Sequence, residues 1–314
     1  MRLMSVGEMV IDFLPGDAPG VYIRKAGGAP ANVAIAVRRQ GQPSAFAGML
    51  GNDDFGRFLL KTLRDSGVEP LVPTLTDEAV TTMAFVSLTD TGERSFTFAR
   101  KPGADMLLTR ADIQDSFFTD TAIVHAGSCS LSKGSAADAT VYAMRRAREL
   151  HKLVSFDINY RNLLWEDQRD RAIEAVQALL PYVDLLKLSE EELCFVGGRE
   201  ALPGVLQRNG ITMAALTLGE AGSVCYFGGE TIPVPAVPAV CVDATGAGDA
   251  YWGAFLATLL AAGVENTQAL TPVLVHRALR RGAIAGSLCV RKKGAIESLP
   301  TAQEVDRLEK EVSP

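Results

Sequence analysis

The sequence predicts an α/β fold on a mainly parallel central sheet, with a small second β-layer beside it. Three observations lead there. From residue 121 onward, short apolar runs alternate with helical patterns, which requires crossover connections and helices on both faces of a sheet. A Gly27-Gly28 pair opens a helix soon after the first strand region. A hairpin signal, Asp90-Thr91-Gly92 between two apolar runs, breaks the alternation and fits no βα unit.

The elements follow in order. Leu3 to Leu14, rich in Val, Ile and Phe, reads as one strand, and Tyr22–Lys25 as a second candidate. The helix opened at Gly27-Gly28-Ala29-Pro30-Ala31-Asn32 runs to about Gln40, with Gly41 as its stop. Ser44 to Gly48 is a strand, and Asp54 to Ser66 a helix closed by Gly67. Residues 81–88 and 94–99 flank the hairpin turn. Then come strand 121–126, helix 134–150, strand 152–157, helix 169–179 and strand 183–188. Helices 189–195 and 200–209 and strands 211–218 and 222–227 follow. Pro233, Pro235 and Pro238 make 231–240 an extended edge segment. The chain reads as one domain, 1–314, with a small lid from about 13–25 and 80–101.

Composition bounds the function. Of 314 residues, 47% are hydrophobic and 22% charged, a globular balance rather than a disordered one. Lys+Arg 31 against Asp+Glu 37 gives a net charge of −6, which argues against a nucleic-acid binder. A local basic pocket for a nucleotide phosphate stays open. The cysteines, Cys129, Cys194, Cys225, Cys241 and Cys289, show no CxxC spacing and read as free thiols in a reducing cytoplasm. Glu8 and Asp12 interrupt the N-terminal apolar stretch where a signal peptide needs an unbroken run. No segment reaches the roughly 18 apolar residues that would span a membrane.

The most informative stretch is Val242-Asp243-Ala244-Thr245-Gly246-Ala247-Gly248-Asp249, followed by an apolar run of helical spacing. The backbone at Gly246, Ala247 and Gly248 can approach a ligand closely. Unpaired amides at a helix start favour an anion. Asp249 beside such a site is electrostatically awkward unless it accepts a proton from a nucleophilic hydroxyl. Taken alone, the motif leaves two readings open, since an Asp in a first turn can serve only the helix N-terminus. Neither a GxxxxGK[ST] loop nor a GxGxxG after the first strand is present.

This stretch resembles the second signature of the ribokinase-like sugar kinases, the phosphofructokinase-B family. Ala26-Gly27-Gly28-Ala29-Pro30-Ala31-Asn32-Val33-Ala34, with Gly41 and Gly51, is similar to its first signature. The subgroup most resembled is the bacterial fructokinases. Gly7-Glu8, Gly92-Glu93-Arg94-Ser95-Phe96-Thr97-Phe98, Arg100-Lys101-Pro102-Gly103-Ala104-Asp105, Asp157-Ile158-Asn159-Tyr160-Arg161 and Lys293-Gly294-Ala295 carry that likeness.

The resemblance implies a ribokinase-like three-layer sandwich with a mainly parallel central sheet and a small β-sheet lid. It implies an ATP-dependent phosphotransferase with an alcohol acceptor, D-fructose at its 6-hydroxyl. Asp249 would be the base, and Gly246, Ala247 and Gly248 the anion hole. Asp12, Gly27, Gly28 and Asn32 would hold the sugar, and Arg100, Asp105 and Arg161 would set specificity and closure. The nucleotide would lie against Lys187, Ser189, Thr217, Gly219 and Gly222. Glu192 would organise Mg²⁺ through water, and Asp243, Thr245, Gly294 and Ser298 would hold a monovalent cation such as K⁺. A cytoplasmic homodimer through the lid, with no nucleic-acid or membrane partner, is the implied assembly.

The chain departs from the family pattern at Ala244 (usually Thr), Ser189 (usually Asn), Ala99 (often an aromatic) and near Ala283 (a late Asn). The rival acceptors are 2-keto-3-deoxygluconate, aminoimidazole riboside and nucleosides. A sugar-binding regulator on a kinase fold is the non-enzymatic rival.

Overall fold

The structure is a computed structural model and describes residues 1–18, 20–88 and 94–312. The hairpin turn Asp90-Thr91-Gly92 and Glu93 lie outside the described residues.

The chain starts with β1 (Arg2–Val6), β2 (Val10–Pro15), β3 (Tyr22–Gly27), α1 (Ala29–Arg39), β4 (Ser44–Ala47) and β5 (Leu50–Gly51). It continues through α2 (Asp54–Asp65), β6 (Glu69–Pro70), β7 (Leu75–Thr76), β8 (Met83–Leu88) and β9 (Arg94–Ala99). Next come β10 (Thr121–Gly127), α3 (Ser135–Glu149), β11 (Leu153–Asp157), α4 (Arg169–Leu179), β12 (Leu185–Ser189) and α5 (Leu202–Asn209). The last elements are β13 (Met213–Thr217), β14 (Ser223–Phe227), β15 (Glu230–Val234), α6 (Ala247–Ala261), α7 (Pro272–Cys289) and α8 (Ala302–Val312).

A nine-stranded sheet has the order β15-β14-β13-β12-β11-β10-β1-β4-β6. It is parallel from β6 to β13, and β14 and β15 close one edge antiparallel. Pro233 sits in the edge strand, where a missing N–H costs least. Strand side chains alternate between faces. Met4, Val6, Val124, Ala126, Val154, Phe156, Leu186 and Leu188 pack in one core with residues of α3, α4 and α5. Leu3, Ile123, Leu153, Leu185 and Met213 pack on the other face with α1, α6 and α7.

The single strand expected over Leu3–Leu14 is two strands in two sheets. At Gly7, φ is 148°, and a Cβ there would sit 2.7 Å from Pro30 Cγ. The chain turns out of the central sheet at this point, yet Met9, Val10 and Ile11 stay buried, so the apolar run resumes at once after Gly7-Glu8 and reads as one strand. Residues 104–118, unassigned from sequence, form three 3₁₀ turns.

The second sheet has four strands in the order β3-β2-β8-β9. Phe13 on β2 stacks on Phe85 of β8 with centroids 4.8 Å apart, and Phe55 at the start of α2 meets Phe13 edge-on at 5.6 Å. The Arg24 guanidinium lies 3.9 Å over the Phe58 ring, which adds a cation–π contact. The small sheet is therefore docked on α2 by an aromatic cluster. Lys25 donates to Glu297 at 2.8 Å, a second tie to the body.

Candidate active site

The carboxyl edge of the parallel strands gathers the polar groups, as open α/β sheets do. Asp157 ends β11 and pairs in register with Lys187 of β12; Ser189 ends β12 opposite Thr217, which ends β13. Above this edge stands the N-terminus of α6.

Helix α6 owes its position to small residues. A Cβ on Gly253 would lie 2.4 Å from Ala36 Cβ, so α1 and α6 cross in near-contact there. One turn back on each helix, Asn32 Nδ2 donates to Asp249 Oδ2 at 2.8 Å. Trp252 Nε1 donates to Ser155 Oγ at 2.8 Å and ties the same helix to the sheet.

Gly246 precedes α6 with φ 80°, a left-handed turn after which the Ala247 amide donates back to the Ala244 carbonyl at 3.2 Å and the Gly248 and Asp249 amides are left at the helix start. These amides have no acceptor within the helix and carry its positive end. A Cβ at Gly248 would lie 3.3 Å from Lys187 Nζ, so the ammonium flanks the same space. Lys187 is held from below by Asp157 Oδ2 at 2.7 Å, a buried pair. The arrangement is a receptacle for an anion, with two backbone donors and one cation converging.

Asp249 itself is half-buried beside that receptacle. Burial pushes its carboxyl up to about 6, while the Asn32 hydrogen bond and the Lys187 and Arg161 charges hold it down. At neutral pH it is an anion with a pKa close to the operating pH, which suits a general base. Asp12 on β2 is raised to about 6 as well, by burial, against the opposing Arg161 charge. Arg161 therefore faces both carboxylates.

Gly27 and Gly28 have a steric reason. A Cβ at Gly27 would fall 2.1 Å from Asp12 Oδ2, and one at Gly28, where φ is 111°, would fall 2.6 Å from the Glu8 carbonyl. The buried Asn32 Oδ1 has no partner and is free to accept from a ligand hydroxyl.

The remaining sequence-predicted residues fall into separate groups. Arg100 and Asp105 bond each other, through Nε at 3.0 Å and Nη2 at 2.6 Å. Glu192 accepts from the Ser189 and Tyr160 amides at 2.7 Å each, and burial raises its carboxyl. Thr217 donates to the Leu188 carbonyl at 3.3 Å. Gly219 lies on an exposed turn, and Gly222 (φ 94°) leaves no room for a side chain, a Cβ falling 2.3 Å from the Val234 carbonyl.

Asp243, Thr245, Gly294 and Ser298 come together next to the anion receptacle. Asp243 accepts from Thr245 Oγ1 at 2.7 Å and from the Gly294 amide at 3.0 Å. Ser298 Oγ lies 2.7 Å from the Ala295 carbonyl, and a Cβ on Gly246 would meet Ala295 Cα at 3.0 Å. Among the described residues, no three His, Cys, Asp or Glu are grouped to hold a metal. The oxygen donors present nevertheless fit hard cations. Asp157 Oδ1 is buried without a partner, close enough to Glu192 for their charges to interact. Such a pair suits a hydrated divalent ion, and the Asp243 group suits a monovalent one.

Sequence reasoning missed Asp157 and Glu8. The signal for Asp157 was its place at the carboxyl end of a parallel strand. The signal for Glu8 was a lone acid inside an apolar run, but its neighbours, Arg100, Asp105, Cys129 and the Ala29 amide, lie far along the chain.

Residues 2–302 match the pfkB family carbohydrate kinase description. The chain belongs to the pfkB family of carbohydrate kinases. Fructokinase-1 of Oryza sativa subsp. japonica is 38% identical over 318 residues, covering 98% of this chain and 97% of its own. The crystal structure of fructokinase with bound ATP from Xylella fastidiosa superposes with a TM-score of 0.92. It is 34% identical and covers 100% of this chain and 99% of that one. A Vibrio cholerae O395 fructokinase in a fructose, ADP and calcium ion bound form gives 0.87 at 32% identity, with 98% of each chain covered.

Proposed function

We propose that the chain is an ATP-dependent fructokinase that transfers the γ-phosphoryl group to the 6-hydroxyl of D-fructose. The observation that carries the mechanism is the Asn32–Asp249 hydrogen bond at the mouth of α6. It sets a proton acceptor, a hydroxyl anchor and an anion receptacle within one turn of helix. The fructose assignment rests on the likeness to fructokinases over the full chain.

Asp12 and Asn32 hold sugar hydroxyls, and Arg161 takes a substrate oxygen by its planar fork. Asp249 accepts the proton of the attacking hydroxyl. The Gly246, Ala247 and Gly248 turn and Lys187 stabilise charge on the moving phosphoryl group. Ser189, Thr217, Gly219 and Gly222 border the nucleotide. Asp157 and Glu192 would hold hydrated Mg²⁺, and Asp243, Thr245, Gly294 and Ser298 would hold K⁺. These ions, when bound, supply positive charge against the phosphates.

The small sheet acts as a lid that excludes water as a competing acceptor. Exposed Val21, Tyr22 and Ile23 at its β3 edge support a homodimer through this face. A cytoplasmic location fits the free cysteines.

The test is ADP release with Mg·ATP and K⁺ across fructose, 2-keto-3-deoxygluconate, ribose, aminoimidazole riboside and adenosine. Turnover concentrated on fructose is expected. Turnover concentrated on another acceptor would keep the mechanism and reassign the pocket.

A further inference from the structure

The four-stranded sheet connects to the body through a few crossings. The chain enters β2 just after Glu8, enters β8 just after Thr82 and leaves β9 at Arg100. These three residues meet around one carboxylate. Thr82 Oγ1 donates to Asp105 Oδ1, and the Arg100 guanidinium donates twice to Asp105 Oδ2. The remaining arm of Arg100 donates to Ser132 Oγ at 3.0 Å, and Ser132 in turn donates to the Cys129 carbonyl. The Arg100 and Asp105 side chains are only 7% and 1% exposed. The packing leaves no slack, since a Cβ on Gly103 would fall 1.8 Å from Thr82 Oγ1 and 2.7 Å from both Arg100 Cγ and Asp105 Oδ1.

Glu8 faces this knot. It is 4% exposed, and its Oε2 has no hydrogen-bond partner. The charged and titratable groups around it are Asp105, Arg100 and the Cys129 thiol, while the Glu8 and Ala29 amides lie near its carboxylate. Two carboxylates thus share one guanidinium out of water, and one of those carboxylates has an orphan oxygen.

We propose that Asp105 is the fastening point of the small sheet, gathering Thr82 and Arg100, and that Glu8 sets its grip by carrying a proton. Asp105, Arg100 and Glu8 are then positioning residues, acting on the sugar through the sheet that bears Asp12 rather than by touching it. The inference builds on the lid role given above. Burial, with Asp105 adding to it, lifts the Glu8 carboxyl to about 7 against the opposing Arg100 charge. The sign follows. A carboxyl raised in the fold adds stability while it is protonated, and that stability is lost as pH rises through about 7. The fastening is tighter at pH 6 than at pH 8.

Hydrogen exchange on the sugar-free protein tests this directly. In Asp105→Asn, amides of residues 10–15, 22–27 and 83–86 should exchange at least tenfold faster, while those of Arg2–Val6 and Thr121–Gly127 stay unchanged. Equal acceleration in both sheets, or none in the small one, overturns the proposal. If Asp105→Asn does not fold, Thr82→Val is read in the same way. In the wild type, small-sheet exchange corrected for its intrinsic rate should be faster at pH 8 than at pH 6. Glu8→Gln, a permanent stand-in for the protonated acid, should abolish that difference. A pH difference that persists in Glu8→Gln overturns the role of the proton. Exchange needs no sugar, so inactivity on fructose would overturn the assigned function and leave this result standing.

Discussion

Asn32 and Asp249 are 217 positions apart in sequence and 2.8 Å apart in space, and the bond between them aims the carboxylate and lowers its pKa against the larger upward push of burial. Asn32→Ala removes a hydrogen bond to the charged form, so the Asp249 carboxyl should rise further above about 6. The acid limb of the kcat profile should move upward, with a larger loss of rate at pH 6 than at pH 8. An unmoved limb would refute the coupling.

Asp249→Asn should lower kcat by about 10²–10⁴-fold, the usual range for losing a general base. Sugar and ATP affinity, measured by calorimetry with a non-hydrolysable ATP analogue, should change by no more than about twofold, because the base acts in the transition state. Near-normal turnover would remove Asp249 from the mechanism.

Asp12 and Asp249 are both raised to about 6 by burial, and the proposed mechanism needs both as anions. kcat/KM should therefore fall below pH 6 with a slope approaching two on logarithmic axes, and Asp12→Asn should reduce that slope to one. Stability runs the other way. A carboxyl raised by burial stabilises the fold below its unfolded value, and that contribution is lost as pH rises through about 6. Asp249→Asn should accordingly melt a few degrees above wild type at pH 8, as relieved active-site strain often does. A lower Tm would count against the sign.

Gly27→Ala tests how tightly the sugar end is built. The added methyl falls 2.1 Å from Asp12 Oδ2 and must displace it. Fructose KM should rise at least tenfold while the KM for ATP stays within about twofold. An unchanged fructose KM would show that Asp12 does not hold the sugar.

Much of the fold is legible in the sequence because its signals are local. The α1 start at Gly28 and Pro30, the stop at Gly41 and the run after Gly246 all act within a turn of where they are written. The anion receptacle is legible for the same reason. The division of Leu3–Leu14 is not, because β1 and β2 are buried in different sheets and both read as apolar strand. Glu8 and Asp157 are hidden for a further reason. A buried acid is defined by its partners, and theirs lie on other strands and turns that only the folded chain assembles.

Helix α6 is buried on every side from Ala250 to Leu260, wedged among α1, α7 and the sheet. A surface substitution therefore has little hold on the aim of Asp249. The half-exposed strands β2 and β3 of the small sheet are far more permissive of change. On the proposed mechanism, acceptor choice can drift, or be redirected by an engineer, through the half-exposed residues of β2 and β3 while the phosphoryl chemistry stays fixed. A library aimed at new sugars belongs on that sheet and should leave the α1–α6 crossing untouched.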